Sequence, residues 1–178
     1  INQGIIDIEH SMSKDECGTL QKLATTRKNQ KTLSLDILDR MVPSKKYATE
    51  KLYIHGDPSG LHSLYAIENK SWEPDDIVVW ENDPTHRYAI KQINAKINVT
   101  DNLSNYKMQF SATVGNPPYT DTSTVTGATT GGCAKTLDTH FYLSAMKRSD
   151  YVSEVIRSKH FAKSTSKFRR TLFSTPGI

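Results

Sequence analysis

Apolar positions along this chain follow a helical period in some stretches and form short uninterrupted runs in others, and the two kinds alternate after residue 50. Residues 11–42 read as helical. Ser13 or Asp15 can cap a first segment, Leu33, Ile37 and Met41 return every fourth position in a second, and Pro43 ends it. Lys51 to Gly56 then reads as a short strand running into the turn Gly56-Asp57-Pro58-Ser59-Gly60, with a helix over Leu61 to Glu68. Ile77-Val78-Val79-Trp80 is the unbroken apolar run expected of a strand buried on both faces of a parallel sheet. Asp83 as N-cap and Pro84 at the first helical position start the next helix, whose stripe is Ile90, Ile93 and Ile97. A third strand is expected over residues 97–100 and a fourth over Phe110 to Val114. A helix follows on Leu137, Phe141 and Ala145, and Tyr151 to Ile156 reads as a fifth strand.

Strands alternating with helices at this spacing predict an α/β fold with a doubly wound, mostly parallel sheet. A chain of 178 residues with 36% hydrophobic positions is long enough for one domain with its own core. Residues 50–178 are expected to form that core, and residues 1–49 to be a helical segment packed on it. From Thr120 to Thr136 the chain has seven Thr and three Gly and little that could pack, which reads as a long loop suited to act as a lid.

In parallel α/β sheets ligands bind beyond the carboxyl ends of the strands. Glu81 follows the second expected strand, Asp101 the third, and Asn116-Pro117-Pro118-Tyr119 the fourth. A carboxylate after a second strand can accept hydrogen bonds from both ribose hydroxyls. Two successive prolines fix two φ angles near −65° (roughly) and restrict the residue before them, so the corner is a stiff support. Stiffness suits chemistry on an exocyclic amine, whose lone pair is delocalised into its ring. Acceptors on both amine hydrogens favour a pyramidal nitrogen and free that lone pair. The Asn116 side-chain oxygen and the Pro117 carbonyl can be those acceptors, and Tyr119 can stack on the base.

These residues resemble the N6-adenine DNA methyltransferases of restriction-modification systems and their phage relatives. The likeness covers roughly residues 50–178, through Trp80-Glu81-Asn82-Asp83-Pro84, Val99-Thr100-Asp101-Asn102-Leu103, the Asn116 to Tyr119 corner and Lys167-Phe168-Arg169-Arg170. It implies the Rossmann-like sheet of enzymes that use S-adenosyl-L-methionine (AdoMet). Gly56, Asp57 and Gly60 would then lie at the methionine part of the cofactor, Glu81 on its ribose and Asp101 on its adenine. Asn116, Pro117, Pro118 and Tyr119 would form the catalytic turn for a flipped adenine of DNA. The first turn departs from the family's Gly-x-Gly, since Gly56 and Gly60 stand four apart. Members usually carry a target-recognition domain beyond this point, so the chain is expected to be part of a longer catalytic protein. A glutamine amide or an RNA adenine poses the same lone-pair problem and is the alternative acceptor, and a non-catalytic remnant of the fold is the alternative outside enzymes.

Charge adds a direction. From Lys147 to Arg170 eight basic residues face two acids, a local +6 against +4 for the whole chain. With Phe161 and Phe168 interleaved, Arg157, Lys159, Lys163, Lys167, Arg169 and Arg170 are candidates for phosphate contact. Cys17 and Cys133 match no metal or disulfide spacing and fit a reducing cytoplasm, and the histidines pair with no cysteine, so no metal site is expected. No apolar run approaches the ~18 residues of a membrane span.

Overall fold

A computed structural model describes residues 35–102, 109–119, 137–162 and 167–174. Helix α1 covers residues 35–41. Strand β1 is Leu52–His55, helix α2 Leu61–Asn69, strand β2 Ile77–Trp80, helix α3 Pro84–Ile93 and strand β3 Asn98–Thr100. Strand β4 is Phe110–Gly115, helix α4 Asp138–Met146, strand β5 Ser149–Glu154, helix α5 Lys159–Ala162 and helix α6 Lys167–Ser174. A 3-10 turn, Pro74–Asp76, leads into β2.

All five strands pair in parallel in the order β3-β2-β1-β4-β5. The chain winds outward from β1 through β2 to β3, then returns to lay β4 on the other side of β1, so the winding reverses between β1 and β4. This is the Rossmann-like α/β arrangement that the alternating pattern predicts. The unbroken apolar runs are its cause: Leu52, Tyr53 and Ile54 of β1 and Ile77, Val78 and Val79 of β2 are all buried, because each strand is covered on both faces. On one face Leu52, Ile54, Ile77, Val79, Ala112 and Val114 meet Leu61, Tyr65 and Ala66 of α2 and Ile90 of α3. On the other, Tyr53, Val78 and Phe110 cluster with Trp80, and Phe141 of α4 packs on Trp80 and His55 at ring distances of 4.8 and 5.1 Å. Each fully buried aliphatic side chain contributes roughly 1.5–3 kcal/mol.

Several boundaries differ from expectation. Of the expected helix over 11–42, residues 11–34, with Ser13, Asp15 and Leu33, lie outside the described residues. In the described turn the buried stripe is Leu38, Met41 and Val42, and Ile37 is exposed, one position off the expected stripe. The reason is the surface it meets. Tyr65 donates to Asp39 at 2.9 Å and Trp72 Nε1 to the Pro43 carbonyl at 2.7 Å, which turns the Leu38 side inward. Asp83 caps α3 through the Thr85 amide at 2.7 Å. The helix stops at Ile93, so Ile97 is buried in the connection to β3, where Lys91 Nζ holds the Ala95 and Ile97 carbonyls. Strand β5 begins and ends two residues before the expected Tyr151 to Ile156. It is an edge strand of mostly polar residues, so the apolar positions after Glu154 marked the exit of the chain instead of the ladder. The basic Lys167 to Arg170 segment is the start of an amphipathic helix that buries Phe168 and Leu172. Among the described residues no helix is long and apolar enough to cross a membrane.

Candidate active site

The switch point between β1 and β4 brings two turns together at the carboxyl rim. Gly56 leaves β1 with φ +68°, a left-handed conformation natural to glycine, and a Cβ there would lie 3.0 Å from the Asn116 carbonyl oxygen. Gly115 ends β4 at φ +153°, and a Cβ on it would come within 2.2 Å of the His55 carbonyl oxygen. The Asn116 amide donates to that same oxygen at 3.1 Å. Two glycines therefore let the turns touch backbone to backbone.

The first turn consumes its own acid. Asp57 is fully buried and accepts from the amides of His62 and Ser63 at 3.1 and 3.0 Å and from the Ser63 hydroxyl at 2.7 Å, so it caps α2. Burial alone would raise its pKa. The His62 and Ser63 contacts more than reverse this, and the carboxyl lies below its ordinary value. The resemblance assigns Asp57 to cofactor binding; its carboxylate is fully buried and belongs to the helix start.

Glu81, at the end of β2, is also buried. Its oxygens accept from the Asp57 and Asp83 amides, both at 3.2 Å, and His86 stands 3.4 Å away. It ties the β1 turn to the start of α3, with lone pairs remaining on both oxygens. Asp101 extends outward from β3 and pairs with Arg87 at 3.3 Å. Arg87 also donates to the Asn82 carbonyl at 2.8 Å, which ties the β2 and β3 exits together. Sequence reading missed Arg87; its place four residues after the cap Asp83, on the helix face above the strand end, is the only signal it left.

The diproline corner stands on the same rim as Glu81. Pro117 is buried, while Asn116, Pro118 and Tyr119 are exposed. The Tyr119 hydroxyl donates to Asn116 Oδ1 at 2.8 Å, which fixes the amide with its oxygen held and one lone pair spare. Tyr119 is in turn anchored from behind. Arg157 Nη2 donates to the Tyr119 carbonyl at 2.7 Å, the guanidinium carbon sits 5.8 Å from the ring centroid, and Leu137 N reaches the same carbonyl at 3.1 Å. Arg157 itself is gripped by the buried Asp138 through Nε on Oδ2 and Nη2 on Oδ1, both at 3.0 Å, and His160 Nε2 meets the same Oδ2 at 3.0 Å. Burial opposes ionisation of Asp138. The Arg157 and His160 contacts outweigh it and bring its pKa down to about 2.

This reassigns Arg157. The sequence reading gives it to phosphate contact; its guanidinium is instead a brace for Tyr119. Sequence had no signal for Asp138, which lies 19 positions from Arg157 and joins it only through the packing of α4 on β5. Of the other basic candidates, Lys159 and Arg170 are exposed, and Arg169 donates to the Phe161 carbonyl at 3.0 Å and lies over the Phe173 ring. Lys163 lies outside the described residues, Lys167 is described only as the first residue of α6, and the expected lid over 120–136 is likewise outside them.

The fold and this rim define a Rossmann-like α/β protein with an exposed, braced Asn-Pro-Pro-Tyr corner at its switch point. No family model matches the chain, and no curated protein matches it. A solved structure that it matches is the crystal structure of Thermoplasma acidophilum 1320, at 19% identity and a TM-score of 0.48, covering 92% of this chain and 78% of that one.

Proposed function

We propose that this protein transfers a methyl group from AdoMet to the N6 amino group of adenine in DNA. The observation that carries the reading is the Asn116 amide, exposed at the switch point with its oxygen accepting from the Tyr119 hydroxyl. Asn116 Oδ1 and the Pro117 carbonyl accept the two N6 hydrogens, and the stiff corner keeps both acceptors in place as the nitrogen becomes pyramidal. The Tyr119 ring, backed by Arg157, offers a face on which the base stacks.

The cofactor assignment rests on charge and space. Asp57 already occupies the amides at the start of α2, so a phosphate there would meet a carboxylate instead of free N–H groups. Glu81 adds further negative charge on the rim, while Asp101 is paired with Arg87. A cationic, phosphate-free nucleoside suits such a crevice. AdoMet, when bound, supplies an electrophilic methyl on a sulfonium. The Gly56 turn gives close backbone approach, and Glu81 has the spare lone pairs to accept from ribose hydroxyls. Of the C-terminal basic candidates, Lys159 and Arg170 are exposed and available to a DNA backbone.

The test is transfer of radiolabelled methyl to DNA, RNA and a glutamine-bearing protein in parallel. Label in DNA adenine is the expected result, and label only in RNA or protein would move the acceptor. Asn116→Ala is expected to lower transfer at least about 100-fold, the scale for losing one precisely placed polar group. AdoMet affinity by calorimetry should stay within about threefold, since Asn116 contacts the acceptor. Transfer that survives the substitution removes Asn116 from the chemistry.

A further inference from the structure

The carboxyl end of the sheet holds a buried pair that the proposed transfer leaves without a role. Strand register aligns His55 of β1, Gly115 of β4 and Glu154 of β5. Strands two apart in a sheet lie roughly 9–10 Å from each other, so side chains of this length meet across the middle strand where it carries none. Gly115 is that place: His55 Nδ1 bonds to Glu154 Oε1, and both side chains are almost wholly buried. Among the described residues Glu154 Oε2 has no hydrogen-bond partner, a costly condition for a buried oxygen. Rings hold the imidazole on two sides, Tyr53 at 4.7 Å and Phe141 at 5.1 Å, both edge-on.

Stability alone does not account for this pair. Apolar residues of similar volume often replace a buried ionisable pair with no loss, or with a gain, because the burial of polar atoms is avoided. What apolar residues lack is a fixed direction. The pair stands at the root of the diproline corner. The Asn116 amide donates to the His55 carbonyl at 3.1 Å, and the amide of Val155, next after Glu154, donates to the Gly115 carbonyl at 2.9 Å. Gly115 and Asn116 are thus bonded through the backbone to β1 on one side and to the chain leaving β5 on the other. The His55–Glu154 bond closes the circuit between those two neighbours. His55 also directly precedes Gly56, which opens the turn assigned to the cofactor.

We propose, on the reading of this rim as a methyl-transfer site, that His55 and Glu154 are positioning residues whose bond across Gly115 sets the direction in which the Asn116 corner leaves the sheet relative to the Gly56 turn. That direction governs how the acceptor amine meets the methyl donor. Both side chains are too deeply buried to touch substrate or cofactor, so they act through the backbone of the two turns.

Wild type, Glu154→Gln and the double substitution His55→Phe with Glu154→Met are compared as full chains. A Gln amide can accept from Nδ1 or donate to it, so the bond survives whichever atom carries the proton. The double variant fills the same space with apolar atoms and removes the bond. Amide hydrogen exchange by NMR reads the corner without any transfer. In the double variant the Asn116 amide is expected to exchange at least about tenfold faster than in wild type, with the amides of β2 and α3 unchanged. In Glu154→Gln it stays within about twofold. In the transfer assay the double variant loses about 10- to 100-fold in kcat, with the KM for DNA and AdoMet affinity within about threefold, and Glu154→Gln restores kcat. A pair that is only structural would shift all amides together and leave kcat alone in any variant that folds. Should the double variant not fold, wild type decides: the proton between His55 Nδ1 and Glu154 Oε1 and the Asn116 amide should exchange through one opening, with equal opening constants. Unequal constants, wild-type exchange at Asn116 in the double variant, or an unchanged kcat in an active enzyme would overturn the proposal. Faster exchange at Asn116 with no methyl transfer by any form, wild type included, would uphold the pair's hold on the corner and remove the methyl-transfer reading.

Discussion

The turns that leave β1 and β4 lie against each other at the centre of the sheet and dispose of their polar groups in opposite ways. Asp57 points inward and is saturated by the first amides of α2. Asn116 and Tyr119 are exposed, and among the described residues their side chains bond to one another. A buried carboxylate with several charge-assisted bonds is part of what holds the chain folded. An exposed amide held by one hydroxyl adds little to stability, and in the proposed reaction its geometry serves the acceptor. Inward groups should therefore be costly to stability when changed, and outward groups costly to activity.

Gly115→Ala should have the largest effect of all. The added methyl meets the His55 carbonyl at 2.2 Å inside the sheet, where neither strand can retreat. A loss above about 4 kcal/mol in urea denaturation is expected, enough to deplete folded protein. Asp138→Ala comes next, at roughly 3–5 kcal/mol, because Arg157 would be left half-buried without its counter-charge. The same carboxylate gives the acid limb its sign. Its pKa of about 2 in the folded protein lies below the ordinary aspartate value of 3.8, so its stabilisation is complete above that ordinary value and fades as pH falls toward the folded one. Wild type should lose roughly 2 kcal/mol across that window beyond what Asp138→Ala loses. For Asp57→Asn, which removes charge from a buried cap, about 1–3 kcal/mol is expected, with a lower melting temperature as the readout.

The smallest effect on stability belongs to Tyr119→Phe, within about 0.5 kcal/mol of wild type. The proposed methyl transfer should nevertheless fall about tenfold, because Asn116 loses the group that sets its rotamer. If Tyr119→Phe destabilises as much as Asp57→Asn, the contrast between an inward and an outward turn is lost.

What could be read from the sequence follows from how each part is made. Strands β1 and β2 are buried on both faces, so their composition announces them, and the Asp83-Pro84 start of α3 is a local signal with a local cause. Asn116 to Tyr119 is legible for the same reason, since diproline stiffness is a property of adjacent residues. Strand β5 is an edge with polar side chains, and no apolar run marks it. The least legible parts are pairs whose members meet only in the fold. His55 and Glu154 are 99 positions apart and Asp138 and Arg157 are 19 apart. Arg157 sits in a basic stretch, and composition alone cannot separate a guanidinium that faces solvent from one that faces a carboxylate. Asp57 misled for the converse reason: an acid in a glycine turn looks available until the helix it caps is seen.

The bonds that Leu137 and Arg157 make to the Tyr119 carbonyl have a consequence for how this protein can change. They hold Tyr119 beside Leu137, the two residues between which positions 120–136 run, so the distance between those ends is fixed by bonds outside that stretch. Lengthening a segment whose ends are already joined costs only about 0.6 kcal/mol per doubling. The placement of Tyr119, and through its hydroxyl that of the Asn116 amide, is therefore set by these bonds and not by the number of residues between the two ends.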